Sequence, residues 1–572
     1  MTSQEQNSAH VDESSIEKHS VSAQEGKELK DAQVVEVTNA DYALALASGP
    51  KLSATSPASI QLFLVLLVAF MGSMSNGFDG QVMGAVNGMS QYLNYFGIPS
   101  DEGGGVGTPT ALIFGIYNIG SIVGVLFAGP LTDGRFGRRG GMFTGARAIA
   151  ITLAQTRSYL LGGRFVLGFG VSIAATACPS YVVELSPPQW RGRLTGLYNT
   201  FYYAGSILCT GIAIGTGKLQ STTSWRAPLA IQLVPAGILV IFVWFLPESP
   251  RWLMSVNRKD EARRILAKYH GNGDENSPLV QLQWKEFEES IRTDASDKRW
   301  WDYSELFNTH NARYRTYMML MMGFFGQWSG NGLGYFLTVL FGNAGVTSQD
   351  RRLVLNFVNT IISAFGASIG TSLADTVGRR KMWFWGTLAS ASTLVIVTGC
   401  TAKFGLEGSR NPAGANAAIA FICTQLIGSS SNPKRAYRKD TVLFGFVYSL
   451  AYTPLQALYP TECLAYNARA KGMAMYSLAV SCAGLVGQYA GPIALQNISW
   501  KYYIVYVCWD LFECVMIWFF AVETKGRTLE ELDEIFESPN PVKASLAKHT
   551  VAIVKKADHV EMVQVEDGAT SA

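Results

Sequence analysis

Two ionisable side chains stand inside apolar stretches. Asp79 lies in SMSNGFDGQVMGAVNG (73–88), just after the run IQLFLVLLVAFM (60–71), with no basic residue beside it. Arg164 lies in GGRFVLGFG (162–170). A charge in such surroundings is expensive unless it is paired, and ionisable groups within membrane-spanning stretches commonly pair and mark ion pathways. A carboxyl that burial drives neutral and a nearby arginine drives charged is able to take up and release a proton. A static ion pair tying two helices is the other reading of the same two residues.

A second set of charged residues is repeated. Asp133…Gly137-Arg138-Arg139 returns as Asp375…Gly378-Arg379-Arg380. Glu184…Arg191 returns as Glu462…Arg469, with the same separation of seven residues. PESPR (247–251), which carries Glu248, returns loosely as VETKGR (522–527), which carries Glu523. A guanidinium fork matches a carboxylate bidentately. Such pairs are expected to form between two halves of the molecule, latching one conformation and releasing in another.

These residues need long apolar elements to hold them. The 572 residues are 48% hydrophobic and only 16% charged, against about 25% charged in a typical soluble domain. Twelve predicted membrane spans follow, at 59–83, 110–131, 141–160, 162–183, 195–216, 227–246, 315–341, 353–374, 382–402, a disrupted one within 417–459, 471–494 and 501–521. The hydrophilic connection 247–314 divides them six and six and contains predicted helices at 260–270 and 282–291. The expected fold is therefore an all-α membrane protein with 12 transmembrane helices in two six-helix bundles. Its divisions are a polar N-terminal tail (1–56) without a cleavable leader, a first bundle (57–246), a linker (247–314), a second bundle (315–521) and a C-terminal tail (522–572). The basic loops after spans 2, 4, 8 and 10, against a loop 88–109 without Lys or Arg, place both termini in the cytoplasm. Repeated bundles of this kind are the architecture of many alternating-access carriers.

One interval breaks the repeat. Gly137 to Glu184 is 47 residues and Gly378 to Glu462 is 84, although each should hold the same two helices. Most of the surplus lies at 424–442, where Lys434, Arg435, Arg438 and Lys439 interrupt span 10. It reads as a retained intron or as a real loop. Span 3 is correspondingly short and contains Arg147 and Arg157. The eight cysteines, in or beside apolar segments and without CxxC spacing, read as buried reduced thiols. No nucleophile–base or metal motif is present, so neither an enzyme nor a metal site is expected. A net charge of +3 is too small to suggest nucleic-acid binding.

The motifs DGRFGRR, ELSPPQWRGR, PESPRWL, DTVGRRK, PTECLAYNARAKG and VETKGRTLEEL, between 133 and 532, together resemble the sugar porter family of the major facilitator superfamily. GQWSGNGLGYFL (326–337), GQYAGPIAL (487–495) and SWKYYIVYVCWD (499–510) look most like its fungal lactose-permease-like branch. The resemblance implies a carrier with a sugar site between the halves near the midplane. It implies sugar recognition by Gln327, Ser329, Asn331 and Tyr335 in span 7 and by Asn199 in span 5, at the position of the family's sugar-binding glutamine. Asn359 in span 8 and Gln488 in span 11 are further candidates. Tyr452 and Pro454 in LAYTPLQALYP fit a helix broken near a gate. Asp79 and Arg164 match the pattern of proton-coupled members. The expected partners are a small sugar (a lactose-like disaccharide or a hexose), a proton and the lipid bilayer, with no cofactor, in a monomeric plasma-membrane carrier. An uncoupled facilitator and a non-transporting sugar sensor are the alternatives, and the tail after Thr528 is short for a sensor.

Overall fold

The structure is a computed structural model of the chain. It describes residues 52–101, 104–133, 137–150, 157–294, 303–343, 346, 348–404, 443–464, 469–525, 529–546, 550–555 and 560–565. Two compact units are present, Leu44–Ser545 and a smaller one of Met1–Ala43 with Leu546–Ala572. In the smaller unit, strands Thr550–Lys555 and Val560–Val565 pair antiparallel, Thr550 opposite Val565.

In the large unit the described helices account for all 12 spans. Spans 1 to 6 are Pro57–Val86, Gly107–Asp133, Gly137–Ala150, Arg157–Leu185, Pro188–Thr216 and the pair Thr223–Ile231 with Leu233–Phe242. Spans 8 to 12 are Gln349–Val377, Arg379–Phe404, Leu443–Cys463, Arg469–Ile498 and Tyr502–Phe520. Seven stretches among the described residues are long and apolar enough by themselves to cross a bilayer. Arg157 opens span 4 rather than closing span 3 as the hydropathy suggested. The atypical segment 424–442 lies outside the described residues, as does the side chain of Arg147.

Span 7 is not the continuous helix that 315–341 predicts. It runs as His310–Trp328, stops at Ser329, turns through Gly330 at φ 94°, and resumes as Asn331–Gly334 and Leu337–Asn343. The break belongs here because only glycine enters that backbone region without strain. Span 10, expected to be broken at Pro454, is continuous. Proline removes the donor that the carbonyl four residues earlier would use. That carbonyl, Leu450 O, faces Gly370 of span 8, where an added Cβ would lie only 2.0 Å away. The proline thus leaves a bare carbonyl and the glycine permits the neighbouring helix to close on it.

The apolar core is shared at one end and divided at the other. Phe78, Val82 and Trp225 of the first half form one buried cluster with Leu333, Phe336 and Tyr503 of the second. At this end Thr338 Oγ1 donates to Gly84 O (3.2 Å), Ser90 Oγ to Gln349 Oε1 (3.1 Å) and Gln349 Nε2 to Gly217 O (3.0 Å), all across the halves. Toward the arginine-rich end the core splits. Leu62, Phe70, Tyr181 and Leu239 pack within the first half, and Met318, Trp383, Tyr459 and Ile517 within the second. The halves are joined at one end and separately packed at the other, the geometry of a carrier open on its arginine-rich side.

The linker holds helices Lys259–His270 and Pro278–Asp294, close to the predicted ones. The C-terminal segment, expected to be a tail from 522, instead packs: Leu532 and Phe536 are buried, and Asp533 of helix Leu529–Glu537 pairs with Arg315 of span 7.

Candidate functional site

Asp79 and Arg164 meet. Both are buried, at 3% and 5% exposure, and Arg164 Nη1 donates to Asp79 Oδ1 at 3.0 Å. Gln232 Nε2 of span 6 donates to the same oxygen at 3.1 Å, and the Tyr117 hydroxyl of span 2 also hydrogen-bonds the carboxylate. The Arg164 guanidinium lies 4.5 Å from the centre of the Tyr117 ring. The contact is single rather than bidentate, and Arg164 Nε has no hydrogen-bond partner. A buried pair with unsatisfied donors contributes little net stability, while removing one partner strands the other.

One residue along span 2, Asn118 reaches a different cluster. Its Nδ2 donates to Gln488 Oε1 of span 11 at 3.0 Å, and Gln488 also bonds the Tyr335 hydroxyl of span 7. Asn331 Nδ2 donates to Gln327 Oε1 at 3.0 Å. Gly484 lies between these groups: a Cβ there would sit 3.0 Å from Asn118 Oδ1 and 4.0 Å from Gln327 Oε1. Amides from three helices and both halves therefore converge where a side chain is missing. Amides both donate and accept, which is what a sugar hydroxyl needs from a partner.

The repeated charges form two superimposable knots. Arg138 grips Glu184 through Nε (3.0 Å) and Nη2 (2.7 Å), and Ser249 Oγ donates to the same carboxylate at 2.5 Å. Arg379 grips Glu462 through Nε (3.1 Å) and Nη2 (2.8 Å), with Thr524 Oγ1 at 2.6 Å in the place of Ser249. Glu248 accepts from the Arg139 backbone N–H (3.3 Å) and from its Nε (2.5 Å). Glu523 likewise accepts from the backbone N–H groups of Arg379 (2.8 Å) and Arg380 (3.2 Å). Gly137 and Gly378, at φ 66° and 98°, make the turn that aims those N–H groups. Burial pushes the Glu248 carboxyl above its ordinary value against the pull of Arg139.

These knots bear on the expected latch between the halves. Each lies within its own half, and no described ion pair crosses between the halves. In this state, open on the arginine-rich side, Arg138, Arg139, Arg379 and Arg380 clamp each bundle internally, and the latch expected when that side is closed is not formed among the described residues. The reason is reach: each arginine opens a helix whose neighbours in the same half present the glutamate. The side chains of Asp133, Asp375 and Arg469 lie outside the described set. Arg191 is half-buried near Glu286 of the linker.

A sequence profile described as "Sugar (and other) transporter" matches residues 65–429 and 440–536. The chain belongs to this family. Among the proteins similar to this transporter is a "High-affinity glucose transporter" of Kluyveromyces lactis, 28% identical over 497 residues, covering 84% of this chain and 86% of that one. A "High-affinity glucose transporter 1" of Candida albicans is 27% identical over 540 residues, covering 91% and 95%. Among solved structures, an inward-open conformation of the xylose transporter XylE from E. coli superimposes with a TM-score of 0.62 at 20% identity, covering 83% of this chain and all of that one. The transporter is thus a multi-pass membrane protein of the two-bundle, 12-helix class.

Within the transporter, the other residues singled out from the sequence divide. Gln327, Asn331, Tyr335 and Gln488 join the amide cluster. Asn199 is exposed and Asn359 half-buried, and neither hydrogen-bonds to it among the described residues. Ser329 and Tyr452 are fully buried and point away from it, both donating to Glu513 Oε2 of span 12. Tyr452 also stacks on Tyr448, with centroids 5.1 Å apart. Asn118, Tyr117 and Gln232 were not evident beforehand. An Asn within an apolar span reads as a helix–helix bond, and Asn118 is one; only its position between the halves makes it a candidate for ligand contact.

Proposed function

We propose that this transporter is a proton-coupled sugar importer of the plasma membrane, with both termini cytoplasmic. The observation that carries the reading is the adjacency of the two clusters. Tyr117 bonds the Asp79 carboxylate and Asn118 bonds the amide cluster, so a change of charge at Asp79 is felt one residue from the sugar. Asp79 loads the proton, Arg164 favours its release, and Gln232 and Tyr117 hold the carboxylate in place. Asn118, Gln327, Asn331 and Gln488 receive the sugar hydroxyls, with Tyr335 beside them. The two relatives described above are named as glucose transporters, which supports a hexose over a disaccharide. The fold neighbours include a proton:xylose symporter, which supports coupling in this architecture.

The test uses full-length protein in proteoliposomes. With wild type, D-glucose added at equal pH on both sides draws protons along with it, and an imposed proton gradient concentrates the sugar. Asp79→Asn abolishes both while retaining counterflow exchange. Uphill accumulation by Asp79→Asn would show that the pair only ties helices and that the carrier is a facilitator.

A further inference from the structure

A second buried acidic group lies in span 12, far along the chain from Asp79. Asp510 and Glu513 are both 0% exposed. They are three residues apart on one helix, hence on one face of it, and close enough to interact electrostatically. Asp79 has an arginine; this pair has none. No ion pair among the described residues involves either carboxyl. Neither Asp510 oxygen nor Glu513 Oε1 has a hydrogen-bond partner of normal geometry, and the Trp509 side chain lies beside Glu513 as a looser donor. The remaining oxygen, Glu513 Oε2, accepts from Ser329 and from Tyr452 (3.0 Å), and Tyr452 shares a hydrogen bond with Thr387 of span 9 (2.6 Å).

Three orphaned acceptor oxygens in a dry site require a donor. Two ionised carboxylates side by side in apolar surroundings are far costlier than a neutral or singly charged pair. A bound sodium ion would want five or six oxygens, whereas the lining beyond these hydroxyls is aromatic, including Phe325, Trp383 and Trp509, and the Trp509 N–H beside Glu513 is a donor, which cannot ligate a cation. A proton satisfies the geometry with what is present. The titratable groups that bear on the pair are Tyr452 from span 10 and Tyr506 and Cys514 from span 12 itself. Span 7 contributes Ser329 and span 9 contributes Thr387, neither of which titrates in this range.

The partner on span 7 gives the site its consequence. Ser329 is the residue on which the first segment of span 7 ends, immediately before Gly330. We propose that Asp510 and Glu513 form a second proton-binding site, in which the held proton keeps span 12 docked on the break in span 7. Loss of the proton places charge in the dry site, admits water, and frees the Ser329–Gly330 turn to swing the segment that carries Asn331 and Tyr335. This goes beyond coupling through Asp79 and does not depend on it.

The test reads the proton and the hinge separately in full-length protein in lipid nanodiscs. Infrared difference spectra between about pH 6 and about pH 9 report the carbonyl stretch of protonated carboxyls. An Asp79→Asn background removes the first site's signal. The expected result is a protonated-carboxyl band at neutral pH that disappears on alkalinisation and is absent in Glu513→Gln. Asp510→Asn, a near-isosteric change, serves if Glu513→Gln does not fold. Protection of the amides over 325–337, taken relative to the intrinsic exchange rate at each pH, is expected to fall about tenfold with alkalinisation in the wild-type pair and to stay within about twofold in the variant. A missing band, a band unaltered in both variants, or a band removed by sodium chloride but not by choline chloride at fixed pH overturns the proposal. None of these readouts involves sugar or coupling, so failure here leaves the function proposed above standing, and the reverse.

Discussion

Tyr117 and Asn118 are consecutive residues that serve different clusters: the Tyr117 hydroxyl bonds Asp79 within the first half, and Asn118 Nδ2 donates to Gln488 Oε1 of the second half at 3.0 Å. Side chains 100° apart on a helix point to different neighbours, so one turn of span 2 addresses both sites. A displacement of that turn moves the two together.

The two residues are therefore separable by substitution. Asn118→Ala removes one of the two partners of the Gln488 amide and a group offered to sugar. Its expected cost is about 1–3 kcal/mol, read as a rise of roughly tenfold or more in KM for D-glucose. Tyr117→Phe keeps the ring beneath Arg164 and loses only the hydroxyl. It is expected to alter the pH profile of uptake while KM stays within about twofold. Equal effects of the two substitutions on KM would mean that the clusters are one site.

The Gly370–Leu450 approach makes a packing prediction. A Cβ at Gly370 would lie 2.0 Å from the Leu450 carbonyl oxygen, which Pro454 leaves without its helical donor. Gly370→Ala forces spans 8 and 10 apart, at an expected cost of about 1–3 kcal/mol. Gly399→Ala on span 9, where a Cβ meets nothing within 4 Å, is the matched control and is expected to be neutral. Thermal unfolding of the detergent-solubilised protein distinguishes them, and equal melting temperatures would contradict the close approach.

His270 predicts a pH-dependent linker. It is buried, its Nε2 is 3.0 Å from Leu185 O, its Nδ1 contacts Gln283, and burial holds its pKa below 6.5. The unfolded imidazole takes up a proton as pH falls below about 6.5, and the folded one only at lower pH. Over that interval the unfolded linker binds more protons, so docking weakens on acidification by up to about 1.4 kcal/mol per pH unit; above it the contribution is complete. Amide protection across 259–270, taken relative to the intrinsic exchange rate at each pH, should fall as pH drops below 6.5 in wild type and change less in His270→Asn. A flat wild-type profile would rule the histidine out.

The spans and the Asp79–Arg164 pair were legible because both are strong signals: long apolar runs, and charges that stand out against them. The arginine–glutamate knots were legible as repeats, but sequence separation says nothing about which half a partner sits in, and in this open state the arginines clamp each half internally. The break in span 7 had a signal in Ser329-Gly330-Asn331-Gly332, weaker than Pro454, which drew attention to the wrong helix. Asp510 and Glu513 carried the same signal as Asp79, acids within the apolar segment YYIVYVCWDLFECVMIWFF, and the reasoning applied to one applies to the other. Asn118 could not be found beforehand, because its meaning comes from the meeting of spans 2 and 11.

Because the arginine clamps are internal, moving one half against the other breaks no ion pair between the halves among the described residues. Each bundle turns over as a preassembled block, and what must be undone in every cycle is mainly the greasy seam of Phe78, Val82 and Trp225 against Leu333, Phe336 and Tyr503, with the few uncharged hydrogen bonds of Thr338, Ser90 and Gln349 beside it. Such a seam strengthens with warming from low temperature and is almost indifferent to salt. The rate of turnover in this transporter should therefore follow temperature and the bulk of those six side chains, while ionic strength leaves it nearly unchanged.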